Sequence, residues 1–354
     1  MAELFEPLQI KSIQLKNRIV VSPMCEYSSV DGFSNDWHLV HLGSRAVGGA
    51  GLIITEATAV SPEGRITPDD LGLWKDEHIE GLKRIVSFIE SQGSIAGVQL
   101  AHAGRKASHS SPWKGGKMLT SEQGGWPTVA ADTTPFRPDD IPSLALDKAG
   151  IEKVKSDFKA AAARALQAGF KVIEIHAAHG YLLHEFYSPL SNHRTDEYGG
   201  AFTNRIRLLT EVVDSIKEVW PETFPLFVRI SASDWTEGGW TVEDSIELAK
   251  GLQQQNVDLI DCSSGGNVPH AKIAVGPGYQ VQFAESIKKD VGILTGAVGI
   301  ITRPEQAEEI ISSGKADVVI IAREFLRNPY FPLHAAKALG ADVQWPVQYE
   351  RAKL

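Results

Sequence analysis

Cysteine is scarce in this chain, and the sequence features of secreted and membrane-spanning proteins are missing. The 354 residues include only Cys25 and Cys262, which is too few for a disulfide framework, so we expect a reducing, cytoplasmic setting. The first residues are acidic and lack the positive and apolar regions of a signal peptide. No stretch approaches the roughly 18 uninterrupted apolar residues of a membrane span. These absences favour a cytoplasmic protein without a membrane anchor.

A basic surface stripe is also missing. The net charge is −9 and the isoelectric point is near 5.7, so little positive charge is available to neutralise nucleic-acid phosphates. The composition, 43% hydrophobic and 22% charged, is typical of a globular protein without low-complexity segments. We therefore expect a small-molecule partner and no nucleic acid.

Apolar runs alternate with helical patterns along the whole chain. We predict strands at 18–24, 51–55, 95–100, 172–175, 225–230, 257–262, 292–295 and 316–321. Helical patterns separate them, and Thr241 with Asp244 and Thr302 with Glu305 form capping-box signals. Such alternation implies parallel strands, and the count predicts a single-domain α/β protein with a (β/α)8 TIM-barrel fold over residues 1–354. An open doubly wound sheet is the alternative, weakened because no G-x-G-x-x-G follows a strand.

Two segments depart from this alternation. Residues 101–147, after the third predicted strand, are rich in Ser, Pro, Gly and Trp and show no clear period. Loops of this length in compact domains are usually functional lids or disordered inserts, so we expect a long loop or lid here. Residues 340–354 are expected to form a C-terminal tail.

Polar and reactive side chains follow most of the predicted strands. In a barrel, the active site lies at the carboxyl ends of the strands. After the seventh and eighth strands, Gly296–Gly299 and Arg323 suit a phosphate, which bare backbone N–H groups and a guanidinium bind well. The alternative is that the glycines only permit tight turns and that Arg323 pairs with a carboxylate.

His176, His179 and Tyr181 follow the fourth strand and handle protons. The histidine pair could bind zinc in a metal-dependent lyase or hydrolase, but its spacing lacks the helical H-E-x-x-H register. Both rings could instead donate hydrogen bonds to one oxygen atom, and Tyr181, with a reference pKa of about 10, could donate a proton. Cys25 has no adjacent base that would make it a nucleophile. Chemistry by a bound cofactor, without a metal, fits these residues better.

Six blocks of sequence resemble the Old Yellow Enzyme family of flavin-dependent ene-reductases, most closely its thermophilic-like bacterial branch. In order along the chain, the blocks are residues 17–27, 99–106, 176–181, 191–200, 261–264 and 348–351. The resemblance implies a TIM barrel that binds FMN without a covalent link. The cofactor-binding residues that it implies are Ser22, Pro23, Met24, Cys25, Ala57, Gln99, Arg229, Ser263, Gly299, Ala322 and Arg323, the last four of them, from Ser263 onward, at the phosphate.

The resemblance also implies a reaction and its catalytic residues. NADPH or NADH would reduce FMN, and FMN N5 would then deliver hydride to an activated alkene, an α,β-unsaturated carbonyl or nitro compound. His176 and His179 would hold the substrate oxygen, and Tyr181 would protonate the α-carbon. Tyr27 would also face the substrate. Arg351 matches a tail arginine that reaches a neighbouring subunit's site in some relatives, which implies a homodimer or homotetramer.

Overall fold

A closed barrel of parallel strands organises the protein. The computed structural model describes residues 2–353. The barrel order is β3, β4, β5, β8, β9, β10, β11 and β12, with β12 pairing back to β3, so the predicted (β/α)8 fold is confirmed. The strands are β1 (Leu8–Ile10), β2 (Ile13–Leu15), β3 (Ile19–Val21), β4 (Leu52–Ala59), β5 (Ile95–Ala101), β6 (Val129–Ala130), β7 (Leu144–Ala145), β8 (Val172–Ala177), β9 (Leu226–Ser231), β10 (Leu259–Ser263), β11 (Leu294–Ala297) and β12 (Val318–Ile321).

Helices cover the outside of the barrel. They are α1 (Asp36–Val47), α2 (Ile79–Ser91), α3 (Lys148–Ala168), α4 (Leu182–Tyr187), α5 (Phe202–Arg205), α6 (Arg207–Lys217), α7 (Val242–Gln254), α8 (Val281–Val291), α9 (Pro304–Ser312), α10 (Arg323–Arg327) and α11 (Phe331–Ala338). Within residues 2–353, no helix has both the length and the hydropathy to cross a membrane.

Strand alternation separates two cores and decides which side chains reach the site. Along β8, Ile173 and Ile175 pack against the helices in the larger core, whereas Val172 belongs to the smaller core inside the barrel. Since successive side chains point to opposite faces of a strand, Glu174 and His176 share the inward face with Val172. The inward face is therefore apolar at the start of β8 and polar towards its end.

An antiparallel hairpin, formed by β1 and β2, closes the amino-terminal end of the barrel. Ile10, Ile13 and Leu15 are buried in the same core as Leu52 and Val172, the first residues of β4 and β8. The hairpin therefore seals one end with apolar side chains, which leaves the carboxyl ends of the strands as the open mouth.

Several boundaries differ from the sequence predictions. The helical pattern between the fourth and fifth predicted strands includes two consecutive helices, α5 and α6, that meet at Ile206. The capping box at Thr241 is confirmed, but the one predicted at Thr302 is wrong because Arg303 occupies the N-cap of α9. There, the Gln306 side chain accepts a hydrogen bond from the Thr302 backbone N–H at 3.1 Å. Gln306 therefore takes the place that Glu305 has in the predicted capping box.

The long connection between β5 and α3 packs on the barrel as an ordered excursion with little regular structure. Its short strands β6 and β7 pair in parallel, and Trp126 Nε1 donates to the Glu63 carbonyl at 2.9 Å. The Arg65 guanidinium lies 4.7 Å from the Trp126 ring and 5.3 Å from the Trp74 ring. These contacts hold the excursion, residues 102–147, beside the loops that follow β4.

Candidate active site at the barrel mouth

Three side chains from the end of β8 and the turn after it meet at the mouth. The His176 ring lies 5.1 Å from the His179 ring and 4.8 Å from the Tyr181 ring, both measured between centroids and both edge-to-face. His176 is buried, and His179 and Tyr181 are half-buried. The predicted convergence of these three residues therefore occurs.

Both histidines are neutral at neutral pH. Burial, reinforced by the positive charge of Arg229, holds the pKa of His176 and of His179 well below the usual range. The Ala178 backbone N–H donates to His176 Nδ1 at 3.2 Å, so the ring proton of His176 resides on Nε2. Neutral imidazoles suit hydrogen-bond donation to a substrate oxygen.

The turn that carries His179 has an unusual backbone conformation. His179 has φ +59°, in the left-handed region. This conformation costs free energy in a residue other than glycine, and it persists only where the surrounding structure imposes it. The surroundings do so through Ser231, whose hydroxyl accepts the His179 N–H at 2.9 Å, and through Lys106, whose Nζ donates to the His179 carbonyl at 2.8 Å. Lys106 Nζ also donates to the Gly266 carbonyl at 2.9 Å, which joins the turn to the loop after β10.

A buried contact between a histidine and a carboxylate supports the same turn from α4. His184 Nε2 lies 2.9 Å from Asp234 Oδ1, and both side chains are fully buried. His184 Nδ1 accepts the Gly180 N–H at 2.9 Å. These supporting residues were not predicted, because their partners come from other elements and only the fold brings them together.

Cys25 and Tyr27 face the mouth from the segment after β3. Although Cys25 is only half-buried, desolvation, reinforced by Asp70 and Glu56, raises the pKa of its thiol well above the usual range. The Tyr27 ring, two residues further along the chain, packs edge-to-face on Trp113 with centroids 5.6 Å apart. A protonated Cys25 without an adjacent base is consistent with a role beside a cofactor rather than as a nucleophile.

A cavity of about 220 Å³ opens beside these residues, between the loops after β11 and β12. Its lining includes Gly299, Ala322 and Arg323, and also Ser22 and Arg229 from the mouth. Gly299 has φ +118°, and a Cβ there would lie 3.1 Å from the Gln280 backbone nitrogen, so glycine keeps this wall open. Gln280 was not predicted as a site residue.

The charge in this cavity, the phosphate-sized cavity of the barrel mouth, suits a phosphate. Glu324, the carboxylate next to Arg323 in sequence, pairs with Arg327 at 2.7 Å, and no ion pair of Arg323 occurs among residues 2–353. The alternative in which Arg323 merely pairs with a carboxylate is therefore not observed. A guanidinium without a counterion beside bare backbone fits a phosphate dianion.

The floor of the mouth lies one layer below the histidines and consists of four buried polar residues. Gln99 Nε2 donates to Glu174 Oε1 at 2.7 Å. Arg229 Nε lies 3.2 Å from Asp261 Oδ2, and Arg229 Nη1 donates to the Ser22 hydroxyl at 3.2 Å. Ala57, beside Gln99 in the β4–β5 register, contributes only a methyl group. The floor therefore presents an amide and a guanidinium next to small side chains, which matches the polar edge of an isoalloxazine ring.

Two further residues of the predicted site, Ser263 and Arg351, do not line the phosphate-sized cavity. The Ser263 hydroxyl does not line the phosphate-sized cavity and is instead 2.6 Å from His179 Nε2. Arg351 lies in an exposed tail, whose preceding residues Gln344–Gln348 border a groove of about 760 Å³ together with Asn17 and Gly93, which precede β3 and β5. This groove is at the closed end of the barrel, so Arg351 does not approach the mouth of its own chain.

Comparison with known proteins decides the family. The model of the NADH:flavin oxidoreductase / NADH oxidase family matches residues 3–342. The chain belongs to this family. This flavin oxidoreductase is 52% identical over 354 residues to the NADPH dehydrogenase of Bacillus subtilis (strain 168), an alignment that covers 99% of this chain and 98% of that protein.

Solved structures agree with the assignment. The Old Yellow Enzyme homologue from Zymomonas mobilis superimposes with a TM-score of 0.78 at 28% identity, covering 97% of this chain and 94% of that one. A 2-naphthoyl-CoA reductase in complex with 2-naphthoyl-CoA gives a TM-score of 0.86 at 26% identity over 96% of this chain, which spans 52% of that reductase. The resemblance to Old Yellow Enzymes is confirmed, and with it FMN as the cofactor of this flavin oxidoreductase.

The metal-dependent alternative is not favoured. In the part of the chain that the structure describes, residues 2–353, no three His, Cys, Asp or Glu side chains are placed to hold a metal ion together. Other side chains that could join the histidine pair as ligands have other partners: Glu174 bonds to Gln99, His184 to Asp234, and Glu185 to the backbone of Arg105.

Proposed function

We propose that this protein is an NADPH-dependent ene-reductase that reduces the C=C bond of α,β-unsaturated carbonyl or nitro compounds. The observation that carries the proposal is the cluster of two neutral histidines and one tyrosine at the mouth. Such a cluster can bind one oxygen atom and supply one proton. The NADPH dehydrogenase of B. subtilis, at 52% identity, supports NADPH as the reductant.

FMN would be held by residues from several strand ends. The ring would lie against the segment Ser22–Cys25 and Ala57, with its polar edge at Gln99 and Arg229, and its phosphate would lie at Gly299, Ala322 and Arg323. When bound, FMN takes up electrons from NADPH and passes them as hydride to the alkene β-carbon. The proximity of Ser22 and Arg229 to the phosphate-sized cavity supports one continuous site.

The histidine pair would bind and polarise the substrate oxygen. His176 offers Nε2–H, because its Nδ1 accepts the Ala178 N–H. If Ser263 donates to His179 Nε2, the proton of His179 resides on Nδ1 and points to the same oxygen. Two preorganised N–H donors stabilise negative charge as it develops on that oxygen, which is the largest effect that this site can supply. Ser263 would then orient His179 instead of holding the phosphate.

Tyr181 would protonate the alkene α-carbon. Burial raises the pKa of its hydroxyl well above the usual range, so the proton stays on the oxygen until the substrate becomes strongly basic. The Tyr181 ring packs against His176, which places donor and oxygen-binding groups on one substrate. Tyr27, on the opposite side of the mouth, would contact the same molecule.

A Tyr181→Phe variant tests this role. We expect reduction of its FMN by NADPH to stay near the wild-type rate, while reoxidation by 2-cyclohexenone slows by roughly 10²-fold, as for loss of a general acid. Anaerobic stopped-flow absorbance measures both half-reactions. Equal reoxidation rates in variant and wild type would remove Tyr181 from the mechanism.

A His176→Ala, His179→Ala double variant is the companion experiment. It should keep FMN, because neither ring lines the phosphate-sized cavity, but it should lose affinity for phenolic ligands together with enone turnover. If enone turnover survives, the oxygen-binding role of the pair is wrong.

A further inference from the structure

Two buried carboxyl groups face each other inside the barrel with no donor between them. Glu174 on β8 and Asp261 on β10 are fully buried, and their side chains are within hydrogen-bonding reach of each other. Glu174 Oε2 and Asp261 Oδ1 have no hydrogen-bond partner, and Asp261 Oδ2 has only its ion-pair contact with Arg229 Nε. Because an ionised carboxylate only accepts hydrogen bonds, two such groups can bond only if one of them carries a proton.

The charges of the neighbours do not remove this requirement. Around the pair, the inward face carries Gln99 on β5, His176 on β8 and Arg229 on β9, with Ser22 after β3. His176 is neutral, so Arg229 is the one cation against two carboxyls. Two ionised carboxylates would leave a net negative floor, and burying that charge is costly.

We propose that Glu174 is a positioning residue that shares one proton with Asp261, and that this proton keeps the floor of the flavin site neutral and the Gln99 amide in one orientation. The second effect follows from the bond between Gln99 Nε2 and Glu174 Oε1. With Oε1 of Glu174 accepting, the Gln99 oxygen is left to accept from the polar edge of the ring. If the proton of Glu174 moved to Oε1, the amide would turn and present its NH₂ group instead.

The proton also determines how much of the charge on Arg229 acts on the cofactor. Arg229 pairs with Asp261. If Glu174 were ionised as well as Asp261, their two negative charges would outweigh the single positive charge of the guanidinium. A neutral floor does not repel the negative charge that reduced FMN would carry. This effect on the cofactor rests on the proposed placement of FMN above Gln99 and Arg229.

The reduction potential of bound FMN, measured against pH, reports the shared proton. Burial, reinforced by Asp261, raises the pKa of Glu174 to about 8. Below that pH the pair keeps its proton in both redox states, and the potential falls with pH through the proton taken up by FMN itself. Above it the pair is ionised beside oxidised FMN. The negative charge of reduced FMN raises the pKa of the pair again, so reduction takes up a second proton and the potential falls up to twice as steeply.

The experiment is a reference-dye titration of the holoenzyme from about pH 6 to about pH 9 in three variants and the wild type. Glu174→Gln keeps both hydrogen bonds, since its amide oxygen accepts from Gln99 and its NH₂ donates to Asp261. We expect the wild-type potential at pH 7 and a single slope up to pH 9. Asp261→Asn, a second way to remove the pair, should also give a single slope.

Glu185→Gln is the matched control, because Glu185 is another buried glutamate with a raised pKa that bonds to the Arg105 backbone rather than to the floor. It should keep the wild-type break in slope. A wild type with one slope throughout, or a Glu174→Gln protein that keeps the break, would overturn the proposal.

Infrared spectra supply an independent readout at pH 7. The wild type should show a carboxylic-acid C=O band that both Glu174→Gln and Asp261→Asn lack, and an unchanged band in both variants would also overturn the proposal. Neither measurement uses an alkene. A failed enone assay would therefore count against the proposed reaction and leave the shared proton standing.

Discussion

A single buried charge holds the turn that carries His179 in place. Lys106 illustrates this, since its ammonium is bonded to the carbonyls of His179 and Gly266. Burial lowers the pKa of Lys106 to about 8, so the surrounding structure tolerates this cation at a cost. A cation buried at such a cost, next to a strained turn, is a candidate for orienting that turn.

We predict that Lys106→Met weakens binding of enones and phenols about tenfold, or about 1.4 kcal/mol, while FMN content stays unchanged. Methionine keeps the apolar stem and removes both hydrogen bonds of the ammonium, one to the His179 carbonyl and one to the Gly266 carbonyl. Ligand titrations of the flavin spectrum measure the affinity.

Lys16→Met is the matched control for that substitution. Lys16 is a second lysine whose pKa burial lowers to about 8, and its Nζ donates to the Gln92 carbonyl at the closed end of the barrel. Equal losses of affinity in both variants would mean that Lys106 acts only through general stability.

At the residue scale, the sequence identified the groups that could do chemistry but not those that orient them. His176, Arg229 and Gln99 were predicted because they come at strand ends, where polar side chains have no packing reason to cluster. Asp234 and the pairing of Glu174 with Asp261 were not predicted, because a carboxyl's partner depends on strand register. A shift of one residue in the pairing of β10 would turn Asp261 to the outer face of the barrel.

At the scale of elements, the strands and most helices followed from periodicity, whereas the β1–β2 hairpin did not. Its strands have three residues each, too few for an alternating pattern to stand out. Only the packing of Ile10 and Ile13 against the barrel interior makes it an element. Short elements that gain their stability from tertiary contact carry little local signal.

Helix α4 links the excursion to the barrel through one carboxyl group. Glu185 Oε1 accepts the Arg105 N–H at 2.7 Å, and Oε2 accepts the Ala131 N–H at 3.3 Å. The two backbone groups lie at the start of the excursion and next to β6. Burial raises the pKa of Glu185 to about 7, which makes this link dependent on pH.

The sign of that dependence follows from the proton count. Between the pKa of the unfolded chain, near 4.5, and about 7, the folded protein keeps the proton of Glu185 and the unfolded chain releases it. The contribution to stability is therefore complete below that window and is lost as pH rises through 7. We predict that Glu185→Gln reduces the fall in the free energy of unfolding between about pH 5 and about pH 7, measured by urea denaturation with saturating FMN. A fall of the same size in both proteins would exclude Glu185 as its source.

At the scale of the whole molecule, the C-terminal tail separates Arg351 from the mouth of its own barrel. Tyr349, two residues earlier, packs near Tyr330 with ring centroids 6.1 Å apart, and the preceding segment borders the groove at the closed end. Arg351 is exposed there. If Arg351 binds substrate at all, it must do so in a neighbouring subunit.

Complementation between two inactive variants tests that arrangement. In a dimer with exchanged tails, a subunit with Arg351→Ala keeps Tyr181, and a partner subunit with Tyr181→Phe keeps Arg351, so one of the two mouths is complete. We expect the heterodimer, purified through two different tags, to recover about half of the wild-type enone turnover per dimer, while each variant alone stays slow. A heterodimer no faster than the variants that compose it would confine each site to a single chain, and Arg351 would then have no part in binding the substrate.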